Sequence, residues 1–275
     1  MIPFTKMHGI GNDFVLINGF SVQLEELALP ALAQKMCDRK FGVGADGLIL
    51  ASTGDALDYR MRMFNPDGSE SEMCGNGVRC FLKFLHQSKL THERDLQVET
   101  GAGPLRLVLH DDGLVEVDMG PARLSTAEIG MTSGSSEPFI NQPIQAAAAT
   151  YHATAVSMGN PHIVIFVPDA WAIQLDQIGP ELERCDLFPN RTNVHFVQVV
   201  SREHLIQRTW ERGAGITLAC GTGACACGVA AFLNGHADRK VNIDLPGGRL
   251  KIIYGEDGRV TMIGPAESVF VGNFA

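Results

Sequence analysis

The sequence predicts an α+β fold built from two copies of one supersecondary unit. Three observations lead there. Short apolar or alternating runs dominate the chain and are separated by turn signals. Helical periodicity is concentrated in two segments. Those two segments superimpose at a fixed shift of 146 residues, the separation of Cys74 from Cys220.

The strand reading rests on FVLIN, GLILAS, DYRMRMF, LRLVLH and VEVDMG in the first half, and on HIVIFV, VHFVQVV, VNIDL, LKIIY and RVTMI in the second. Turn tokens such as NPDG, HDDG, DLPGG and GEDG punctuate them, as expected where Gly, Asn, Asp and Pro reverse the chain. The helical segments are GNGVRCFLKFLHQS after Cys74 and GTGACACGVAAFLNG after Cys220. Val78, Phe81, Leu82 and Leu85 stand at i, i+3, i+4 and i+7, one face of a helix. The shift carries them onto Ala224, Cys227, Gly228 and Ala231, smaller residues that predict close packing. The stretch 129–150 is rich in Ser, Gly and Ala and reads as a loop plus a strand without chemical character.

The repeat extends upstream. Asn65 lies nine residues before Cys74, and Glu211 nine before Cys220; Gly47 lies eighteen before Asn65, and Asn193 eighteen before Glu211. Gly11-Asn12-Asp13 finds a counterpart in Gly159-Asn160-Pro161. This order predicts two domains, 1–120 and 121–265, related by a pseudo-twofold axis, with the last ten or so residues returning to the first. A chain of 275 residues is long for one domain and comfortable for two.

Composition narrows the function. The balance of 22 basic and 31 acidic residues gives a net charge of −9, with no basic run, so nucleic acid is not an expected partner. The start, MIPFTKMHGIGNDF, lacks the cationic and apolar regions of a signal peptide. No apolar stretch reaches the length of a membrane span. Seven cysteines, an odd number with no C-x-x-C pair, predict reduced thiols in the cytoplasm. FGVGADG contains G-x-G-x-x-G, but it precedes a strand instead of opening a helix, so the dinucleotide reading fails. No P-loop, H-E-x-x-H or paired C-x-x-C is present, and nothing calls for pyridoxal phosphate. No metal and no cofactor are expected.

Two cysteines carry the chemical argument. Cys74 and Cys220 each precede Gly-x-Gly and a helix. Glycine lets a ligand approach the backbone closely. A helix start offers unpaired N–H groups and partial positive charge, which favour a thiolate and can hold a carboxylate. Two such thiols, one per half, can face each other across a cleft and invert a stereocentre, one removing a proton as the other adds one. The bland alternative is buried cysteines packing as small hydrophobes. Duplication in the same context argues against it for this pair, whereas Cys37, Cys80, Cys185, Cys225 and Cys227 fit it well.

KMHGIGNDF, FGVGADG, the FNPDG to MCGNGVRC segment, SMGNPH, RTNVHF, ERGAG and ACGTGACA occur in order from residue 6 to residue 227, with DLPGG beyond. Together they resemble the motifs of the diaminopimelate epimerase family over essentially the whole chain. The resemblance implies two domains, each a β-barrel-like sheet wrapped around a central helix. It also implies cofactor-independent interconversion of L,L- and meso-diaminopimelate in lysine and peptidoglycan precursor biosynthesis, and a homodimer. Cys74 and Cys220 are implied as the acid–base pair. Gly75, Asn76, Gly221 and Thr222 are implied to bind the carboxylate at the reacting carbon. Asn12, Asn65, Asn160, Asn193, Glu211 and Arg212 are implied to hold the distal amino-acid head, a role that suits a guanidinium fork and a set of amide and carboxylate oxygens. His162 and Glu211 are implied to draw protons from the thiols, although His162 is equally readable as a hydrogen-bonded structural histidine.

The chain departs from the family at Gly47, where some members carry a substrate-touching Gln, and at Ile216, where Glu is frequent. Two other functions stay open. A racemase of the same fold could act on histidine, proline or hydroxyproline, but it would not need the full distal set. A thiol redox sensor would not need Asn12, Asn65, Asn160 and Asn193.

Overall fold

A computed structural model of the chain describes residues 1–22, 24, 28–146 and 149–275. Positions 147 and 148 of the Ser, Gly and Ala-rich stretch lie outside the described residues. The chain divides into two compact units, Met1–Asp118 with Ile263–Ala275, and Met119–Met262.

The first unit contains β1 (Ile2–Gly9), β2 (Asn12–Asn18), α1 (Leu29–Cys37), β3 (Gly47–Ser52), β4 (Arg60–Phe64), β5 (Glu70–Ser71), α2 (Gly75–Gln87), β6 (Asp95–Thr100), β7 (Gly103–Leu109) and most of β8 (Val115–Pro121). The second holds α3 (Thr126–Ile129), β9 (Gln142–Ala146), β10 (Ala149–Ser157), β11 (Pro161–Phe166), α4 (Leu175–Glu183), β12 (Asn193–Ser201), β13 (His204–Glu211), β14 (Gly215–Ile216), α5 (Gly221–Leu233), β15 (Lys240–Leu245), β16 (Gly248–Tyr254) and most of β17 (Arg259–Gly264). The final strand, β18 (Glu267–Phe274), pairs antiparallel with β1 and belongs to the first unit.

The pairing recurs strand for strand. In the first unit β1/β2 is antiparallel, β2/β3 parallel, β3/β4 antiparallel, β4/β5 antiparallel, β4/β6 parallel and β6/β7 antiparallel. In the second, β10/β11, β11/β12, β12/β13, β13/β14, β13/β15 and β15/β16 repeat that series in the same sense. α2 and α5 occupy equivalent places and are offset by the 146 residues that the thiols predict. The ten strand-like runs each coincide with a strand; DYRMRMF, LRLVLH and HIVIFV overrun theirs by one or two residues.

Each sheet encloses one helix. α2 packs on β1, β2, β3, β4 and β7, and α5 on β10, β11, β12, β13, β15 and β16. α1 and α4 cover the outer faces: Leu29, Ala33 and Met36 pack with Val15, Ile17, Leu48 and Leu50, and Leu175, Ile178 and Leu182 pack with Ile163, Ile165 and Phe196. Strands β2, β3, β11 and β12 are therefore covered on both sides. This explains why FVLIN, GLILAS, HIVIFV and VHFVQVV read as unbroken apolar runs without alternation.

The structure corrects one reading of helix character and adds two helices that the sequence did not announce. α5 is not amphipathic. Gly221 and the residues from Gly223 to Ala231 are buried around its whole circumference, because the sheet closes about it. α1 and α4 carry no signal strong enough to stand out in the sequence: each has nine residues, and α4 contains Pro180. Among the described residues no helix is long and apolar enough to cross a membrane.

Gly179 shows how tightly α4 is seated. A Cβ there would lie 2.5 Å from the indole ring of Trp210, which is itself fixed by donating Nε1–H to Glu183 Oε2 at 2.8 Å. Gly179→Ala should cost about 1–3 kcal/mol from overpacking and lower the thermal midpoint by several degrees. A variant melting at or above the parent temperature would show that α4 yields freely.

Candidate functional site

Both cysteines singled out in the sequence occupy helix N-cap positions. Cys74 precedes α2 with φ −139° and ψ 117°, and Cys220 precedes α5 with φ −129° and ψ 102°. Extended backbone is normal at an N-cap, but Ser, Thr, Asp or Asn is usual there because its oxygen accepts an N–H of the first turn. A thiol is a poor substitute as a cap and a better nucleophile or proton carrier. The cysteine carbonyls begin the helices, accepting Val78 N–H and Ala224 N–H at 2.9 Å.

The first unit places Asn12 beside its thiol. Asn12 Oδ1 accepts from Cys74 Sγ at 3.6 Å and from Asn76 Nδ2 at 3.1 Å. Its Nδ2 donates to Asp46 Oδ2 at 2.7 Å. Asp46 belongs to an ionic bracket in which Arg39 bonds both Asp46 and Asp13, and Lys6 pairs with Asp13 at 2.6 Å. Burial pushes the Asp13 carboxyl up, but Arg39 and Lys6 outweigh it and hold the group down to about 2.

Arg79 escaped the sequence reading. It is fully buried in α2 and donates to Asn76 Oδ1 at 2.9 Å, Gly75 O at 3.0 Å and Pro265 O at 3.1 Å. It thereby fixes the side chain and the backbone of the two residues that follow Cys74. An arginine one turn into the helix, next to the apolar stripe that Val78 begins, is the signal that was available. Gly9 makes room for it: a Cβ there would lie 2.9 Å from Arg79 Nη2.

The second unit repeats the arrangement with different chemistry. Asn160, the counterpart of Asn12, donates Nδ2–H to Thr222 Oγ1 at 3.5 Å, and Thr222 Oγ1 lies 3.8 Å from Cys220 Sγ. Asn160 Oδ1 lies 2.9 Å from His162 Nε2. His162 Nδ1 meets His195 Nε2 at 2.9 Å, and His195 Nδ1 meets Thr209 Oγ1 at 2.9 Å. Gln207 closes this buried chain by donating to Thr209 Oγ1 at 2.9 Å. The sequence reading named His162 and passed over His195, Thr209 and Gln207. His195 and Thr209 are direct partners across β12/β13, a relation that only strand register reveals.

The remaining predicted residues divide. Glu211 accepts from Thr217 Oγ1 at 2.5 Å and lies close enough to Cys220 to raise its thiol. Arg212 is exposed, its Nη1 donating to Asn190 O at 3.1 Å. Asn193 is buried and braces the same region: its Nδ2 donates to Pro161 O at 2.9 Å, and its Oδ1 accepts Arg212 N–H at 3.0 Å. Glu183 supports it further by accepting Gly213 N–H at 3.1 Å. Asn65 opens the turn between β4 and β5, where its Nδ2 donates to Ser69 Oγ at 3.0 Å. No bond joins Asn65 to the Asn12 cluster among those described. At Gly47 a Cβ would stand 3.0 Å from Met63 Cε and 3.1 Å from Phe64 O, so a side chain there requires the neighbours to move. Ile216 on β14 is half exposed.

One electrostatic expectation reverses. A helix start should lower a thiol pKa, but burial drives the Cys220 thiol well above its ordinary value, and Glu211 adds to the rise. Gly223 N–H and the Thr222 hydroxyl pull the other way without overcoming it. Cys220 rests as the neutral thiol. Burial raises the thiols of Cys37 to about 11 and Cys80 to about 12, as suits packing residues.

The comparisons with known proteins follow the same outline. The family model for diaminopimelate epimerase matches residues 4–125 and 154–269. The chain belongs to the diaminopimelate epimerase family. "Diaminopimelate epimerase 1" of Nostoc sp. is 51% identical over 98% of this chain and 99% of its own. The diaminopimelate epimerase of Moorella thermoacetica is 49% identical over 98% of each chain. Among solved structures, a PhzF-family phenazine biosynthesis protein of Bacillus anthracis superposes with a TM-score of 0.71 at 17% identity, covering 98% of both chains. A hydroxyproline epimerase from Agrobacterium vitis superposes at 0.65 and 13% identity, covering 98% of this chain and 90% of that one. At such identities the last two establish the fold alone.

Burial holds His162 well below its usual value, with His195 and Arg212 contributing, and drives His195 down to about 3. Both are neutral when folded, whereas an unfolded histidine titrates near 6.5. Below 6.5 the unfolded chain binds protons that the folded protein does not. For His195, stability is therefore complete above that pH and is lost as pH falls toward 3, by up to about 1.4 kcal/mol per pH unit; His162 acts in the same direction. Denaturant unfolding of His195→Gln between pH 6 and 4.5 should give a shallower slope than the parent. Equal slopes would mean that His195 is not held neutral.

Proposed function

We infer that this protein is a diaminopimelate epimerase. It moves the α-proton between Cys74 and Cys220 and so interconverts L,L- and meso-diaminopimelate without a metal or cofactor. The observation that carries this reading is the duplicated N-cap thiol. Each half supplies one, and an asparagine at the start of the equivalent second strand bonds Cys74 in the first half and Thr222, two residues after Cys220, in the second, in a chain about half identical to diaminopimelate epimerases along its whole length.

The chemistry follows from the charges. Epimerisation needs a base on one face of the α-carbon and an acid on the other. Cys220, resting as a thiol, is ready as the acid when Cys74 removes the proton. In the reverse direction Cys220 must first lose its proton. Glu211, whose charge the thiol already feels, is the better acceptor; His162 is suppressed by burial as a base. The N–H groups at Gly75 and Asn76, and at Gly221 and Thr222, hold the substrate's reacting carboxylate and stabilise the charge that builds as the α-proton leaves. Asn12 and Asn160 steady the half-sites. Arg212 offers its remaining donors to the distal carboxylate, with Asn65, Glu211 and the loop braced by Asn193 completing that end. Free thiols suit a reducing compartment, and we place the enzyme in the cytoplasm.

Incubating the reduced protein with L,L-diaminopimelate in heavy water should place deuterium at the α-carbon of both isomers. Cys74→Ala and Cys220→Ala should each abolish interconversion, while Cys225→Ala leaves it largely intact. Full activity in either of the first two would refute the two-thiol reading.

We propose further that the protein is a homodimer joined through β18, where Val269 is 56% exposed, Phe270 47% and Val271 77%. A row of exposed apolar residues on one strand invites pairing with a second copy. Light scattering should give twice the chain mass, and Val269→Glu with Val271→Glu should return it to the monomer. A monomeric parent protein would dismiss the proposal.

A further inference from the structure

Three side chains able to bind a metal converge inside the second unit, although no spacing in the sequence announces them. His162 on β11, His195 on β12 and Cys220 at the start of α5 are all buried, and one ligand atom from each lies within 4.8 Å of the other two. Register brings the histidines together. His162 pairs with Asn193 and Val164 with His195 across the parallel strands, so both rings stand on the same face of the sheet. The N-cap position then delivers the sulfur. Gly223 keeps the space open, since a Cβ there would lie 2.3 Å from His195 Cε1 and 2.9 Å from Cys220 Sγ.

We propose that these residues form a binding site for a divalent cation of zinc type, with His162 Nδ1, His195 Nε2 and Cys220 Sγ as ligands and water in the fourth position. The donor set is imidazole and thiolate, which suits such an ion. The outer atoms are also prepared. Metal-bound histidines nearly always donate their other ring N–H to an oxygen that orients them. Here His162 Nε2 faces Asn160 Oδ1, and His195 Nδ1 faces Thr209 Oγ1, each at 2.9 Å.

The proton balance is explicit. At present one hydrogen is shared between His162 Nδ1 and His195 Nε2, which lie 2.9 Å apart. The metal takes its place. Both imidazoles stay neutral, with their hydrogens on the outer nitrogens. The thiol proton passes to solvent, so one proton is released per ion. Metal–nitrogen bonds near 2.0–2.1 Å require the two nitrogens to open to roughly 3.3 Å. Gln207 stands behind the His195 ring. Its Oε1 is the buried side-chain polar atom left without a partner among the described residues, while its Nε2 lies 3.3 Å from His195 Nδ1.

An ion here would occupy the Cys220 sulfur and act as a reversible inhibitor. That consequence rests on the catalytic role proposed for Cys220; metal binding itself does not.

Cobalt(II) is the probe. The parent chain, reduced with a phosphine and freed of metal, should bind one Co²⁺ with a thiolate-to-metal charge-transfer band and the intense visible bands of tetrahedral coordination. Zn²⁺ should bleach both. Epimerase activity should fall in step with the band and return on adding a chelator. His195→Gln and Cys220→Ser should each weaken binding by at least tenfold, and Thr209→Val by about tenfold. Cys74→Ser should leave the spectrum unchanged. Should His195→Gln fail to fold, Cys220→Ser decides alone. Absence of one-to-one binding, undiminished affinity in Cys220→Ser, or a band lost in Cys74→Ser would overturn the site. Saturated cobalt bands with full activity would retain the site and overturn the catalytic role of Cys220.

Discussion

A helix enclosed by a sheet must do something with its first N–H groups. They have no partner within the helix, and inside a protein an unpaired donor is expensive. Most helices meet this with a Ser, Thr, Asp or Asn cap. α2 and α5 are capped by cysteine, which satisfies the donors poorly and leaves them available to an anion. The rest of each unit serves this arrangement: strands that surround the helix, glycines at its first and third positions, and an asparagine from the second strand set against the residue between them.

The two units share this frame and differ in the charge placed behind it. Asn12 is backed by carboxylates locked in ion pairs with Arg39 and Lys6, and Asn76 is held by the buried Arg79. Asn160 is backed by neutral groups alone, the His162, His195, Thr209 and Gln207 chain. Ion-paired carboxylates behind one asparagine and neutral hydrogen-bonded groups behind the other give two chemically similar thiols different surroundings, and among the described residues of the second unit only Glu211 brings a carboxylate near Cys220. Burial holds the Cys220 thiol protonated, and the Glu211 charge adds to the rise.

The legibility of the sequence follows from the same physics. The thiols, the repeat and the two enclosed helices were readable because each depends on local order: an N-cap, a Gly-x-Gly, a fixed shift. Strands buried on both faces were readable as continuous apolar runs. α4 was not, because Pro180 and Gly179 disguise a helix whose fit is set by Trp210 on a distant strand. Arg79 and His195 were missed for a related reason. Each looks like an ordinary polar residue until register and helix phase turn it inward, and both are completely buried. The expectation of a lowered thiol pKa failed at Cys220 because it counted the helix start and omitted the desolvation that enclosing the helix brings with it.

Gly223 joins these arguments. Sequence reasoning assigns the second glycine of C-G-x-G to close approach by a ligand. In α2 that suffices: a Cβ at Gly77 would meet Ile49 Cδ1 at 3.1 Å, a contact a flexible side chain can relieve. In α5 the same position is filled by the His195 ring, 2.3 Å from where a Cβ would stand. The ring is held at both ends, by Thr209 on one nitrogen and His162 on the other. One glycine thus has two causes in the two halves. Open access to the helix start explains it in the first. In the second it is also the space that lets a buried imidazole reach the Cys220 sulfur, so the motif's repetition conceals a divergence that only the folded chain displays.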